Sequence, residues 1–368
     1  MVPRRPMPRW KRKLLRWFRN RVRPLSERTP YALLPRTINL EITRTCNLLC
    51  PMCARQRDLP PKRDLTAEEA SHILGQLPTL RLINIVGFGE PLASPNLFGI
   101  LDAAEASDTK VTMTTNGTLL DESHVARLPR CVSHMYVSVD SPSPEKYEQI
   151  RPGARFHEVQ ANIGALRRLR PDIRLGIQGV ITRETVQDAA ALVRFAAGVG
   201  AQGVSFLHID PVGEENCRQH VLGEAGAERP LQEAREAGAQ LGLDVTAPDA
   251  APRLRPCRAP WREPHISADG TLRACCFMNR SPGRATEWLL GDPLPLPQEQ
   301  YVVGNVLRDS FRAIWNSAPL RRARRSVRRA ERERGVSLQD LRRRRTDANL
   351  APRFAYCAVC LWRWGCAC

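Results

Sequence analysis

The sequence predicts an α/β fold, a parallel sheet covered by helices, followed by a small cysteine-rich region of different character. Three observations predict it. From residue 36, short apolar runs alternate six times with helical patterns. Near residue 245 that rhythm stops, and Pro and Arg become frequent. The cysteines gather in two places, Cys46/Cys50/Cys53 and Cys357/Cys360/Cys366/Cys368. Six β–α units are fewer than the eight of a closed barrel. An open six-unit barrel and a doubly wound sheet both satisfy the pattern, and both put the working site at the C-terminal ends of the strands.

The elements follow in order. Residues 8–23 place Trp10, Leu14, Phe18 and Val22 at four-residue steps, one apolar stripe on an otherwise basic helix. Such a helix either lies on an anionic membrane surface, nucleic acid or an acidic partner, or docks its stripe on the body. Predicted strands are 37–43, 81–86, 110–114, 135–139, 173–181 and 203–209. All are short, as strands buried in parallel sheets are. Predicted helices are 66–77, 95–106, 119–128, 157–169, 184–199 and 231–241. Beyond a boundary at about 245–255, residues 265–268 and 271–274 read as a hairpin around Asp269-Gly270. Residues 281–300 carry four prolines and read as an irregular insertion. Residues 310–329 read as one helix. The expected organisation is a basic extension (1–35), a barrel-like domain (36–245) and a small α+β domain (250–368).

The formal net charge of +18 has a location. Residues 1–25 hold ten basic residues and no acid, and residues 320–347 hold twelve Arg against four acids. The remainder is neutral, so the excess speaks about docking rather than about a reaction site. Apolar content of 42% excludes wholesale disorder. No apolar run reaches the ~18 residues of a membrane span, and no secretory signal is recognisable. The cysteine clusters therefore read as metal or iron–sulfur ligands in a reducing cytoplasm rather than as disulfides.

Cys46-x3-Cys50-x2-Cys53 follows directly on the first strand. Three thiolates so spaced can hold three irons of a [4Fe–4S] cube and leave the fourth open. Zinc completed by a distant ligand is the alternative. With this motif the sequence resembles the radical S-adenosylmethionine (radical SAM) enzymes. The resemblance implies a partial (β/α)6 barrel, with the open iron binding the amino and carboxylate groups of SAM. Reductive cleavage of SAM then yields methionine and a 5′-deoxyadenosyl radical that abstracts hydrogen.

Further matches fall at successive strand ends. Gly89-Glu90-Pro91 resembles the family's Gly-Gly-Glu-Pro motif, whose backbone and Glu hold the SAM amino group, although Phe88 replaces the first Gly. Asn116, and Ser138 with Asp140, resemble the polar ends that line the ribose and carboxylate site. Gln178 on strand five falls where the family contacts adenine, and Met52 either packs on adenine or within its loop.

Behind the barrel, Cys257, Gly270, Cys275, Cys357 and Cys360 resemble the SPASM/twitch auxiliary-cluster domain, together with Gly304-Asn305-Val306 and Ile314-Trp315-Asn316. The resemblance implies an auxiliary [4Fe–4S] cluster on Cys257, Cys275, Cys357 and Cys360. Cys366 fits the longer pattern, whereas Cys368 comes after one residue rather than three, so a second auxiliary cluster would be incomplete. Structural zinc is again the alternative. Cys131 and Cys276 read as packing residues. Cys217 follows strand six in a loop at the working end, where a thiol could donate hydrogen to a substrate radical or be incidental.

The expected function is that of a cytoplasmic radical SAM oxidoreductase. It takes its electron from a small reductant such as flavodoxin or ferredoxin, and it acts on a peptide or a sugar/aminocyclitol-type molecule. The 45 residues before Cys46 leave no room for the peptide-recognition domain that many peptide maturases carry in front, which weighs against the peptide. The rival is a non-catalytic, zinc-stabilised nucleic-acid-binding protein whose Arg segments grip phosphates.

Overall fold

The computed structural model describes residues 26–56, 61–210, 214–221, 226–248, 257–276, 286–289, 292–295 and 302–332. Side chains of Cys217 and of residues 286–289, 292–295, 302 and 329–332 are outside the description. The helix expected over residues 8–23, and Cys357, Cys360, Cys366 and Cys368, lie outside the described residues.

Seven parallel strands run in sequence order: β1 (Thr37–Leu40), β2 (Leu82–Ile85), β3 (Lys110–Thr115), β4 (Val132–Ser138), β5 (Arg174–Ile181), β6 (Gly203–His208) and β7 (Asp244–Thr246). The connecting helices are α1 (Ala67–Gly75), α2 (Leu97–Ala106), α3 (Glu122–Arg127), α4 (Pro144–Ile150), α5 (Phe156–Leu169), α6 (Ala189–Gly198), α7 (Glu214–Arg218) and α8 (Glu228–Leu241). Local chemistry sets their ends. Thr66 and Glu69 form both halves of a capping box at α1. Gly242 ends α8 with φ of 69°, a left-handed conformation that costs Gly little.

The β–α rhythm outlasts its expected end by one strand, β7, which the Pro-rich stretch after it obscured. Helix α4 is not among the expected helices, although Ser143-Pro144 marks its start; the Ser143 hydroxyl accepts from Lys146 N–H and Pro144 opens the first turn. The helix expected over 184–199 is a 3₁₀ turn, Val186–Asp188, followed by α6.

The cysteine-rich region joins the same sheet. After α9 (Ala259–Arg262), β8 (His265–Ile266) pairs parallel to β1, β9 (Thr271–Arg273) pairs antiparallel to β8, and β12 (Val302–Asn305) pairs antiparallel to β9. The ten-stranded order is β12-β9-β8-β1-β2-β3-β4-β5-β6-β7. Within the expected irregular insertion, β10 (Thr286–Leu289) and β11 (Asp292–Pro295) form an antiparallel ribbon. The single helix expected over 310–329 is two, α10 (Phe311–Trp315) and α11 (Ala318–Arg332), parted at Asn316-Ser317.

The two faces of the parallel sheet differ in chemistry. One carries apolar rows such as Ile85, Met113, Met135 and Leu175, aligned across strands and almost wholly buried. Gly179 on this face has no room for a Cβ, which would lie 2.8 Å from Leu192 of α6. The other face carries Asn39, Asn84, Thr112 and His134 in one row, Thr114 and Tyr136 in the next, and Ser138, Gln178 and Ser205 above. Most of these are only half-buried. Period-two alternation thus gives one face to the helices and leaves a polar one on the concave side.

Residues 26–35 strap the sheet to the C-terminal region. Trp261 Nε1 donates to Thr29 O (2.9 Å), Trp315 Nε1 to Leu33 O (2.9 Å), and Asn316 bonds both backbone groups of Ala32. Arg324, within the basic run, is 0% exposed and donates to Pro260 O, Pro30 O, Trp315 O and Asn316 Oδ1. Part of the C-terminal positive charge therefore serves the core rather than a docking face.

Candidate active site

The cysteine loop leaves β1 and turns back on itself. Leu48 N–H points to Cys46 Sγ (3.5 Å), and Cys53 N–H donates to Cys50 O (3.0 Å). All three thiols are free, with Cys50 buried and Cys46 and Cys53 half-buried. Burial pushes all three thiol pKa values up, Cys50 to about 11, while the Arg151 guanidinium opposes it at each. Such thiols are neutral until a metal takes them as thiolates and displaces their protons.

The other sequence-predicted residues stand at the same end of the sheet. Gly89 rests on the cysteine loop so closely that a Cβ would lie 2.4 Å from Thr43 O, and Glu90 N–H donates to Thr45 O (2.8 Å). The Glu90 carboxylate, 3% exposed, accepts from Leu92 N (3.1 Å), Thr115 Oγ1 (2.6 Å) and Asn116 N (2.7 Å). Most of its acceptor positions are therefore taken, and it ties the end of β2 to the end of β3. Desolvation raises its pKa, opposed by those donors and by Arg151. Pro91 opens the 3₁₀ turn that follows. Asn116 Nδ2 donates to Asn47 Oδ1 (2.9 Å) and stands 4.0 Å from Cys46 Sγ, joining the third strand end to the cysteine loop. Ser138 and Gln178 are direct partners across β4 and β5.

Asp140 is paired within the chain. Its Oδ2 accepts from Arg151 Nε (2.6 Å), and its Oδ1 from Arg151 Nη2 (3.3 Å) and Val180 N (2.9 Å). A buried carboxylate beside a guanidinium pairs with it before it serves anything else. Arg151, just beyond α4, was not among the predicted site residues. Its pKa is raised by Asp140 against the opposing effect of its own burial. One turn earlier, Tyr147 is 0% exposed and its hydroxyl has no hydrogen-bond partner. The signal that could have found both residues was the Ser-Pro helix start.

Cys217 lies on α7. Its neighbour Asn216, 2% exposed, fastens that helix to the cysteine loop by donating to Met52 O (2.8 Å). Met52 itself packs half-buried against the core. Cys131 is buried, and its S–H donates to Leu101 O (3.4 Å), as a packing residue's does.

In the C-terminal region Cys257 and Cys275 are buried and form no disulfide. Gly270 turns the hairpin with φ of 80°, and a Cβ there would strike Leu307 at 2.5 Å. Asn305 clamps the turn from outside, donating to Asp269 O (2.8 Å). Among the described residues no three His, Cys, Asp or Glu converge on a single metal ion. A cleft of about 580 Å³ near Lys110, Arg130 and Arg170 opens at the N-terminal ends of β3 and β4, away from these thiols.

Family models match both regions. Residues 40–196 match the radical SAM superfamily, and residues 257–360 match the SPASM iron–sulfur cluster-binding domain. The chain is a radical SAM enzyme of the SPASM type. This radical SAM enzyme takes SAM and iron–sulfur clusters as cofactors, which decides against the non-catalytic zinc reading. The AdoMet-dependent heme synthase of Methanosarcina barkeri is 26% identical over 302 residues, covering 77% of this chain and 83% of that protein. The PqqA peptide cyclase of Gluconobacter oxydans is 25% identical over 295 residues, 78% of each chain. Among solved structures, Streptococcus suis SuiB bound to S-adenosylmethionine superposes with a TM-score of 0.65 at 17% identity, covering 87% of this chain and 74% of that one. The open parallel sheet is thus the partial barrel of this family. No described helix of this radical SAM enzyme is long and apolar enough to cross a membrane.

Proposed function

We propose that this enzyme modifies a peptide by hydrogen abstraction from a C–H bond. The supporting observation is the match to a peptide cyclase that runs through both the barrel and the cysteine-rich region. The concave face adds a physical argument. Its described strand positions between Asn39 and Leu207 are uncharged apart from Lys110 and Arg174 at the lower edge, where Lys110 Nζ donates to Arg130 O and Arg174 pairs with Asp244. That suits amides and hydroxyls. A heme-type molecule, the reading favoured by the heme synthase match, brings carboxylates that call for Arg or Lys.

Cys46, Cys50 and Cys53 would hold the SAM-binding [4Fe–4S] cluster. Cys257 and Cys275, with Cys357 and Cys360, would hold the auxiliary one. When bound, the clusters and SAM would supply electrons and the adenosyl radical. This chain's own residues position. The Gly89-Glu90-Pro91 loop offers backbone to the SAM amino group, Asn116, Ser138 and Gln178 offer donors and acceptors at the strand ends, and Asp140 holds Arg151. Cys217 would return a hydrogen to substrate. A cytoplasmic flavodoxin or ferredoxin would supply the electron, and residues 1–25 would dock on an anionic surface.

The test is anaerobic incubation with SAM, dithionite and deuterium-labelled substrates. The proposal expects deuterium in 5′-deoxyadenosine from a labelled peptide mixture and none from a labelled porphyrin or aminocyclitol; the reverse pattern would refute it. In the same assay Cys217→Ala is expected to retain deuterium transfer and lose product, and unchanged product would remove that thiol from the mechanism.

A further inference from the structure

One buried carboxylate joins three structural units. Glu41, just past β1, is 1% exposed. Its Oε1 accepts from Phe88 N (3.1 Å), in the loop after β2. Its Oε2 accepts from Ala268 N (3.2 Å), in the hairpin of the cysteine-rich region, and from Arg44 Nε (3.0 Å), two residues before Cys46. Arg44 Nη2 reaches on to Asp269 Oδ2 (3.0 Å) in that hairpin. The fit is close: a Cβ on Gly87 would lie 2.6 Å from Glu41 Cγ.

The loop from Gly87 to Glu90 is therefore supported on this side by the Glu41 cluster. It rests on Glu41, on Thr43 O and on Thr45 O, and that segment is pinned from the far side by Asp269. Asp269 is fixed in turn, its Oδ1 accepting from Thr271 N (3.0 Å) and its backbone oxygen from Asn305 (2.8 Å). Arg44 is the only cation placed between Glu41 and Asp269 among the described ion pairs. Its planar fork serves both carboxylates at once, which an ammonium group does not reproduce.

We propose that Asp269, a residue of the auxiliary region, is a positioning residue for SAM binding in the barrel, acting through Arg44 and Glu41 on the loop at residues 87–90. The inference rests on the reading that this loop receives the SAM amino group. Asp269 touches neither SAM nor a cluster. It sets how the backbone that meets SAM is held, so its loss weakens SAM binding while the ligand cysteines remain in place.

The experiment measures SAM affinity on anaerobically reconstituted full-length enzyme, from the SAM-induced change in the cluster's electron paramagnetic resonance (EPR) spectrum, beside iron content. Asp269→Asn and Arg44→Lys are expected to keep wild-type iron and to bind SAM roughly tenfold more weakly, a usual size for coupling between sites. Asp269→Glu, which keeps the charge, is expected to recover part of the loss. Iron-replete Asp269→Asn and Arg44→Lys proteins with wild-type SAM affinity would overturn the proposal. If Asp269→Asn holds less iron, the comparison is read on Arg44→Lys and Asp269→Glu. A wild-type enzyme indifferent to SAM would instead refute the SAM-site reading itself.

Discussion

Cys50→Ser will reduce SAM cleavage to background while leaving the auxiliary iron in place. Cys50 is the buried middle member of the thiol loop, and the nearby Arg151 charge favours its thiolate. Serine keeps the shape within one atom, so packing changes little. Its hydroxyl is a far weaker iron ligand than a thiolate. With one cube on Cys46/Cys50/Cys53 and one in the auxiliary region, iron falls from about eight to about four per chain. The check is iron analysis together with 5′-deoxyadenosine produced from SAM and dithionite. A variant that still makes 5′-deoxyadenosine at the wild-type rate would show that the cluster is held elsewhere.

The second large effect is on stability. Asp140→Ala leaves the Arg151 guanidinium buried without its partner, and it strands Val180 N–H as well. Removing one member of a buried ion pair costs about 3–5 kcal/mol, because the remaining charge keeps its desolvation penalty. Asp140→Asn retains an acceptor for Val180 N–H and should cost less than Asp140→Ala. Thermal unfolding of the iron-replete proteins measures both. The account expects Asp140→Ala to melt well below Asp140→Asn, and Asp140→Asn below wild type. Equal melting of all three would mean that the pair adds nothing. Asp140→Ala should also weaken SAM binding, since the Arg151 charge acts on Cys46, Cys50, Cys53 and Glu90 alike.

These residues also mark what was legible in the sequence. The strands and their ends were, because buried parallel strands are continuous apolar runs and the polar motifs directly follow them. Cys46, Glu90, Asn116 and Ser138 accordingly fall at one end of the sheet. Asp140 is legible at its strand end and its partner Arg151 is not: Arg151 comes eleven residues later, beyond a seven-residue helix too short to show a period. The link among Glu41, Arg44 and Asp269 is not legible, since the contacts that reach the hairpin span more than two hundred positions and leave no local pattern. The seventh strand and the ribbon at 286–295 were hidden by proline, which is read as a breaker yet is tolerated at strand edges.

The continuity of the sheet gives the two regions a shared mechanical frame. Strand β8 lies directly beside β1, so the hairpin that precedes Cys275 and the loop that carries Cys46 leave adjacent strands. This adjacency lets a residue of the auxiliary region act on the barrel site through a short relay, from Asp269 to Arg44 to Glu41 to Phe88 N.

The central claim is that the thiol loop holds a cluster to which SAM binds directly. It is tested most directly by low-temperature EPR of the dithionite-reduced, iron-replete enzyme with and without SAM. The account predicts that SAM changes the spectrum of one cluster, that the change is absent in Cys50→Ser, and that 5′-deoxyadenosine accumulates in the wild-type sample. A wild-type spectrum indifferent to SAM, with no 5′-deoxyadenosine formed, would contradict it.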